Sequence, residues 1–360
     1  MAVHPPSSTS WQTFRQTFDQ HFSEAITKNL AELPLMQDPF LKEAFGHIKL
    51  LAEQGKRVRP YVTLLAFEAA GGTNTSTPWD ALIGIELIHL FALIHDDLID
   101  QGALRHNVET VQTFIRRRLQ EKDRHGDQKR VADSQALLIG DLVHTWAHKH
   151  LVQAICQAEN GNSVATTLFQ LLEEVIMGQS LDVDLTTRSS EPYELIEQKM
   201  LLKTARYTFS RPMQLGVLLS GNQSVELLRF CQEFGDKLGL AFQLQDDWFD
   251  LIAAEQRTGK SGYRDLEEAQ QTFFTCFIYK EGTLAQQERL ARLLGYPLSK
   301  EQQEEAYTLF TEVGAMKNGE RLIEKYFLDA ERILTQATFL SEEGKQPFQT
   351  LLQLLKSRSA

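Results

Sequence analysis

Proline placement constrains this chain more than any other feature. None of its ten prolines falls between Pro78 and Pro192, and none between Pro212 and Pro297. Proline inside a helix removes a donor and clashes with the preceding turn, so proline-free stretches are where long helices can run. Both stretches carry apolar residues at helical spacing, and no run of strict alternation marks a strand. The pattern predicts an all-α fold, a large helical bundle around a central cavity. Predicted helices cover Trp11–Leu33, Phe40–Glu53, Tyr61–Ala70 and the run ending near Asp100. Others follow at 134–157, 164–182, 192–221, 223–254, 265–280 and 284–295, with two or three more before Ser357. The mixed-charge run Glu121–Arg130 reads as a solvated loop. Residues 1–10, rich in Pro, Ser and Thr, are expected to be disordered. With no linker in sight, 11–360 is expected to be one domain.

Two of these helices end in the same acidic pattern. Ile94-His95-Asp96-Asp97-Leu98-Ile99-Asp100 closes the apolar run that begins near Ala81. Asp246-Asp247-Trp248-Phe249-Asp250 closes the run Leu238–Leu244. On a helix, Asp96 and Asp100 lie one turn apart on one face, with Asp97 about 100° round. Like charges at that spacing repel unless something cationic sits between them. One such turn could be a solvated helix end. Two copies about 150 residues apart are best explained as walls of one polar cavity filled with hard divalent cations. Magnesium fits: it takes oxygen ligands and is usually held by one or two carboxylates plus substrate phosphates. No Cys/His cluster offers the softer set that zinc favours. The implied substrate is a phosphorylated or diphosphorylated small molecule, binding together with several Mg2+ ions.

Bulk properties exclude some classes. At 42% apolar and 24% charged the chain has soluble globular composition, and its net charge of -11 argues against nonspecific nucleic-acid binding. Cys156, Cys231 and Cys276 are far apart, which points to packing roles in a reduced compartment. The first ten residues lack the basic and apolar regions of a signal peptide. The most apolar stretch, Ala81–Ile94, is too short to span a bilayer and contains Glu86 and His89. A cytoplasmic protein without a transmembrane segment is expected.

Further motifs then fall into order around the acidic pair. They are Gly55-Lys56-Arg57-Val58-Arg59-Pro60, His89, Leu104-Arg105, Gly140-Asp141, Gly178-Gln179-Ser180-Leu181-Asp182, Lys203-Thr204, Gly239-Leu240-Ala241-Phe242-Gln243 and Gly259-Lys260. With both Asp motifs, this series resembles the trans-isoprenyl diphosphate synthases, the polyprenyl synthetase family, from about residue 40 to about 335. The resemblance implies an isoprenoid-synthase fold, a homodimer, and head-to-tail condensation of an allylic diphosphate with isopentenyl diphosphate. It implies Mg2+ ligation by Asp96, Asp100 and Asp246, with Asp250, Asp97 and Asp247 supporting the metal shell. Arg105, Lys203 and Lys260 would stabilise charge on the departing diphosphate, and Thr204 and Gln243 would line the allylic site. Lys56, Arg59 and His89 match the contacts to isopentenyl diphosphate. No side-chain nucleophile is required, and the sequence offers no triad.

The chain departs from the family pattern at two places. Arg-Arg-Gly-x-Pro-Thr reads Arg105-His106-Asn107-Val108-Glu109-Thr110 here, so His106 replaces an arginine that contacts isopentenyl diphosphate. A family Gly-Lys reads Ala269-Gln270. Both changes weaken the positive field for phosphate. Five residues before Asp96 stands Phe91, the family position that faces down the product tunnel, with the small Ala92 beside it. A bulky floor there implies a product of fifteen or twenty carbons, farnesyl or geranylgeranyl diphosphate. The alternatives are a non-catalytic subunit modulating another synthase and a class I terpene cyclase. The intact Asp motifs speak against the first, the basic turn and second Asp motif against the second.

Overall fold

The computed structural model describes residues 10–34, 37–188, 191–256 and 263–358. Among these the chain is almost wholly helical, as expected, with a single two-stranded hairpin. Residues 1–9 lie outside the described set. Ser10 is inside it and caps the first helix, its Oγ accepting the Thr13 N–H at 3.2 Å. By internal contacts the described residues divide into two compact units, one formed by those up to Leu64 with those of Gly72–Asn162, the other by Leu65–Gly71 with those from Ser163 on.

The first unit holds α1 (Trp11–Ala31), α2 (Pro39–Ala52), most of α3 (Val58–Ala69), α4 (Trp79–Ile99), the hairpin β1 (Leu104–Arg105) and β2 (Val108–Glu109), α5 (Val111–Glu121) and α6 (Gln128–Gln157). Phe14, Phe18, Phe22 and Ile26 recur every fourth residue along α1, and all four are buried. Each such burial contributes about 1.5–3 kcal/mol. Tyr61 packs its ring on Trp11 and Phe14. α4 is buried on every side from Ala81 to Ile88, the signature of a central helix. Its long partner is α6, and two glycines set the approach. A Cβ on Gly84 would lie 2.5 Å from Leu151, and one on Gly140 would lie 2.3 Å from the His95 ring. α6 begins at Gln128, six residues earlier than expected, because the Asp127 carboxylate accepts the Arg130 N–H at 2.9 Å and Lys129 pairs with Asp133. The end of the mixed-charge run is therefore a capped first turn.

The second unit holds α7 (Gly161–Leu185), α8 (Tyr193–Met200), a π-helical stretch (Leu201–Ser210), α9 (Arg211–Leu219), α10 (Val225–Gln256), α11 (Arg264–Glu267) and α12 (Phe273–Glu281). It ends with α13 (Leu284–Leu293), α14 (Lys300–Glu312), α15 (Ala315–Gln336) and α16 (Glu342–Lys356). The single helix expected over 192–221 is thus widened in its middle. The Arg211 N–H bonds back to the Arg206 carbonyl, five residues away, and the wide turn accommodates Pro212, which has no N–H to offer. The helix expected over 265–280 is broken. Ala269 adopts a left-handed φ of 55°, and Thr272 starts α12 afresh with a capping box. Cys231 and Cys276 are buried, Cys156 is exposed, and all three thiols are free. No helix among the described residues is long and apolar enough to cross a membrane.

Candidate active site

The first unit carries the first acidic motif in the last turn of α4. Asp97 is buried (side chain 3% exposed), whereas Asp96 is 26% exposed. Asp100 caps the helix, its N–H bonding the Asp96 carbonyl at 2.9 Å. Arg105 reaches back from β1. Its Nε donates to both Asp97 oxygens at 2.9 and 2.8 Å, its Nη2 lies 2.7 Å from Asp97 Oδ1, and the same Nη2 reaches Asp96 Oδ2 at 3.5 Å. The guanidinium therefore neutralises the buried carboxylate and leaves Asp96 and Asp100 the more open pair.

A tight turn places the next residues. His106 and Asn107 have φ of 49° and 65° and join β1 to β2, the left-handed pair that a two-residue hairpin requires. Thr110 Oγ1 donates to the Gly102 carbonyl at 2.6 Å, and Gln112 Nε2 donates to the Asp97 and Gly102 carbonyls at 2.8 and 2.9 Å. These bonds fix the hairpin to the end of α4.

The basic turn before α3 divides its labour. Arg57, 4% exposed, donates to Asp19 at 2.7 Å, to Glu86 at 2.9 Å and to the carbonyls of Gln54 and Ala52. Gly55, at φ 111°, stands beside that guanidinium, where a Cβ would come within 3.2 Å. Lys56 is exposed and Arg59 half-buried. His89 lies in a field of positive charge. Burial first, then Arg59, Arg105, Arg57 and His106, hold its imidazole well below the usual histidine range, so it is neutral near pH 7. Phe91 stacks on His144 of α6 at 4.4 Å and meets His95 edge-on at 4.6 Å, with Ala92 half-buried beside it. His95 Nε2 lies 3.1 Å from the Leu137 carbonyl.

The second unit carries the other half of the predicted set. Lys203 and Thr204 sit on the π-helical stretch, held between α7 and α10 at glycines. A Cβ on Gly178 would fall 2.4 Å from the Lys203 nitrogen, and one on Gly239 would fall 2.3 Å from the Ala205 Cα. Asp182 of α7 is buried between two ammonium groups. Lys199 Nζ is 2.9 Å from one oxygen, and Lys203 Nζ bonds the other. Burial alone would raise the Asp182 carboxyl, but the two lysines hold it below the ordinary range. Lys199 also donates to the Gln271 carbonyl at 2.7 Å.

A polar chain runs from Thr204 to the second acidic motif. Thr204 Oγ1 donates to Gln243 Oε1 at 2.6 Å, and Gln243 Nε2 donates to Asp247 Oδ1 at 2.7 Å. Burial pushes Asp247 up to about 7, against the pull of Lys199 and Gln243. It pushes Asp250 up to about 6, although the Asp265 N–H donates to its Oδ2 at 3.1 Å. Asp246 is more open, at 38% exposure, and bonds Arg358 beyond α16. Asp265, absent from the sequence reading, joins this crowd, and burial with Asp250 and Asp247 raises it well above the carboxylate range. Lys260 lies outside the described residues. Among the described residues no group of three or more His, Cys, Asp or Glu side chains is arranged to hold a metal ion, though Asp246, Asp247, Asp250 and Asp265 carry the oxygen donors that a hard divalent ion takes.

The sequence profile of polyprenyl synthetase matches residues 39–312. The chain belongs to the polyprenyl synthetase family. Two curated relatives and one solved structure give the scale of the likeness. Geranylgeranyl diphosphate synthase of Methanosarcina mazei is 29% identical over 63% of this chain, which spans 64% of that relative's length. Geranylfarnesyl diphosphate synthase of Natronomonas pharaonis is 30% identical over 72% of this chain and 74% of its own. The crystal structure of geranylgeranyl pyrophosphate synthase from Corynebacterium glutamicum, complexed with isoprenyl diphosphate and magnesium, superposes with a TM-score of 0.86. It is 25% identical and covers 95% of this chain and 99% of that one. As a polyprenyl synthetase, the chain is a trans-prenyltransferase that elongates prenyl diphosphates, with the all-α fold of its structural neighbours.

Proposed function

We propose that this polyprenyl synthetase condenses isopentenyl diphosphate head-to-tail with an allylic diphosphate in a Mg2+-dependent reaction. The observation that carries the reading is the division of labour within each acidic motif. In each, one buried aspartate is bound internally, Asp97 by Arg105 and Asp247 by Gln243. The neighbouring Asp96 and Asp246 stay more open. Asp96, Asp100, Asp246 and Asp250 are the residues that would hold Mg2+, which when bound supplies the Lewis acidity that drives diphosphate departure.

The remaining work belongs to side chains of this chain. Lys203, steadied by Asp182, and Arg105, anchored on Asp97, present fixed positive charge to the leaving oxygens. Lys260 is assigned the same role. Thr204 and Gln243 border the allylic substrate. Lys56, Arg59 and neutral His89 hold the diphosphate of isopentenyl diphosphate, with His106 in the place of a further cation. The proton lost after carbon–carbon bond formation goes to the departing diphosphate. We treat residues 11–360 as one catalytic domain acting in the cytoplasm, where its free thiols are compatible with reducing conditions. Exposed Leu137, Leu138 and Val152 on α6 are offered as part of a homodimer contact.

Phe91 is assigned the floor of the product tunnel, for a product of fifteen or twenty carbons. The names of the relatives favour twenty or more. Purified protein with Mg2+, labelled isopentenyl diphosphate and, separately, dimethylallyl, geranyl or farnesyl diphosphate is the deciding assay. Discrete prenols of fifteen or twenty carbons after dephosphorylation establish the reading. No elongation from any primer overturns it in favour of a modulatory subunit.

A further inference from the structure

The second unit holds a cavity of about 330 Å³ that none of the assigned residues lines. Tyr193 at the start of α8, Phe273 and Phe277 of α12 and Leu322 of α15 give it an apolar floor. The Tyr193 and Phe273 rings meet edge-on at 5.3 Å, and the Phe273 and Phe277 centroids lie 5.7 Å apart. Lys280, Arg321 and Lys325 line the same cavity against one carboxylate, Glu281. Among the described residues, none of those three cations has an ion-pair or hydrogen-bond partner. Arg321 and Lys325 stand one turn apart on α15, a spacing at which like charges repel. In a chain of net charge -11, acidic partners are plentiful elsewhere, yet these cations are unpaired.

We infer that this cavity is a second binding site, for an organic diphosphate with an apolar tail. Its volume lies within the span of small-molecule pockets, about 300–1,000 Å³. Arginine and lysine are the side chains that grip phosphate, and the aromatic floor takes hydrocarbon. The site is also wired to the reaction centre. Tyr193 and Tyr326 share a hydrogen bond of 2.8 Å, and Tyr326 donates to Glu197 at 2.9 Å. α8 goes on to Lys199, which holds Asp182 and the carbonyl of Gln271, two residues before Phe273. α8 and α12 thus wall the cavity, and the Lys199 clamp joins α8 to the segment leading into α12, so an occupant bears on the position of Lys203.

Calorimetric titration of the full chain with geranyl diphosphate in EDTA tests the site without Mg2+, and so without depending on the synthase reading. The comparison is Lys280→Glu/Arg321→Glu/Lys325→Glu, whose changes fall on exposed side chains and leave the Mg2+-dependent condensation rate within about twofold. The expected result is one equivalent bound per chain, weakened at least tenfold in the triple variant, with inorganic diphosphate at least tenfold weaker than the ester. Absence of binding, or equal binding by the triple variant, overturns the site. Equal affinity for inorganic diphosphate overturns the assigned ligand class.

Discussion

The Arg358 guanidinium donates to the Asp246 carboxylate and lies over the Phe242 ring, 4.2 Å from its centroid. A cation delivered from beyond the last helix thus sits on a carboxylate assigned to metal. With Asp246 38% exposed, such a pair is worth at most about 1 kcal/mol. Arg358→Ala is therefore expected to lower the Mg2+ concentration for half-maximal turnover by about two- to fivefold. A Mg2+ titration at saturating substrates reads this directly. An unchanged midpoint means that Arg358 does not compete with the metal.

His106 occupies a left-handed turn position close enough to His89 to bear on its charge. An arginine there adds a permanent fork of donors. The backbone tolerates it, since Arg57 holds a φ of 56° in this same chain. His106→Arg is expected to lower KM for isopentenyl diphosphate about fivefold, with kcat little changed. That gain corresponds to about 1 kcal/mol.

Ala269 carries a left-handed φ of 55° where the family pattern has glycine. A Cβ in that region costs roughly 1–2 kcal/mol. Ala269→Gly should raise the melting temperature by roughly 1–2 °C, as measured by differential scanning fluorimetry. A fall in melting temperature would show that the turn gains more from the stiffer residue.

Neutral His89 makes stability depend on pH. Its folded pKa is depressed by burial and the surrounding cations, while the unfolded value is about 6.5. The unfolded chain therefore takes up the proton first, and stability is lost as pH falls below about 6.5. Between pH 7.5 and 5.5 the wild-type melting temperature should drop further than that of His89→Gln. The difference amounts to an energy on the order of 1 kcal/mol.

Phe91 is wedged between His144 and His95. Phe91→Ala should shift the product distribution to longer prenyl chains, resolved by reversed-phase separation of the dephosphorylated alcohols. An unchanged distribution would remove Phe91 as the floor.

Much of this molecule is written in local pattern. Apolar spacing and proline positions disclosed the long helices, and the repeated Asp-Asp-x-x-Asp marked the two helix segments on which the proposed chemistry is placed. What escaped depends on partners distant in sequence. Glu86 inside an apolar helix made sense only once Arg57 was seen against it at 2.9 Å. Gly140 was legible as a motif residue, but its reason is the His95 ring packed on it. Lys199 stands one turn before Lys203, and that repulsive spacing was the available hint of the buried Asp182 they share. The hairpin around His106 and Asn107 was missed because each strand is two residues long, too short for any alternation to register. Asp265 had no local signature at all.

The π-helical stretch at Leu201–Ser210 makes this part of the chain intolerant of changes in length. In an α-helix, deleting one residue rotates everything downstream by about 100°. Here the wide turns hold Lys203 against Gly178 and Ala205 against Gly239, two contacts on two different helices. Losing a residue would bring a tighter helix within reach, but both glycine contacts could not then be kept in register. Apart from Lys203 and Thr204, which carry assigned roles, a change of side chain here disturbs less than a change of length, because an insertion or deletion breaks one of the two glycine contacts.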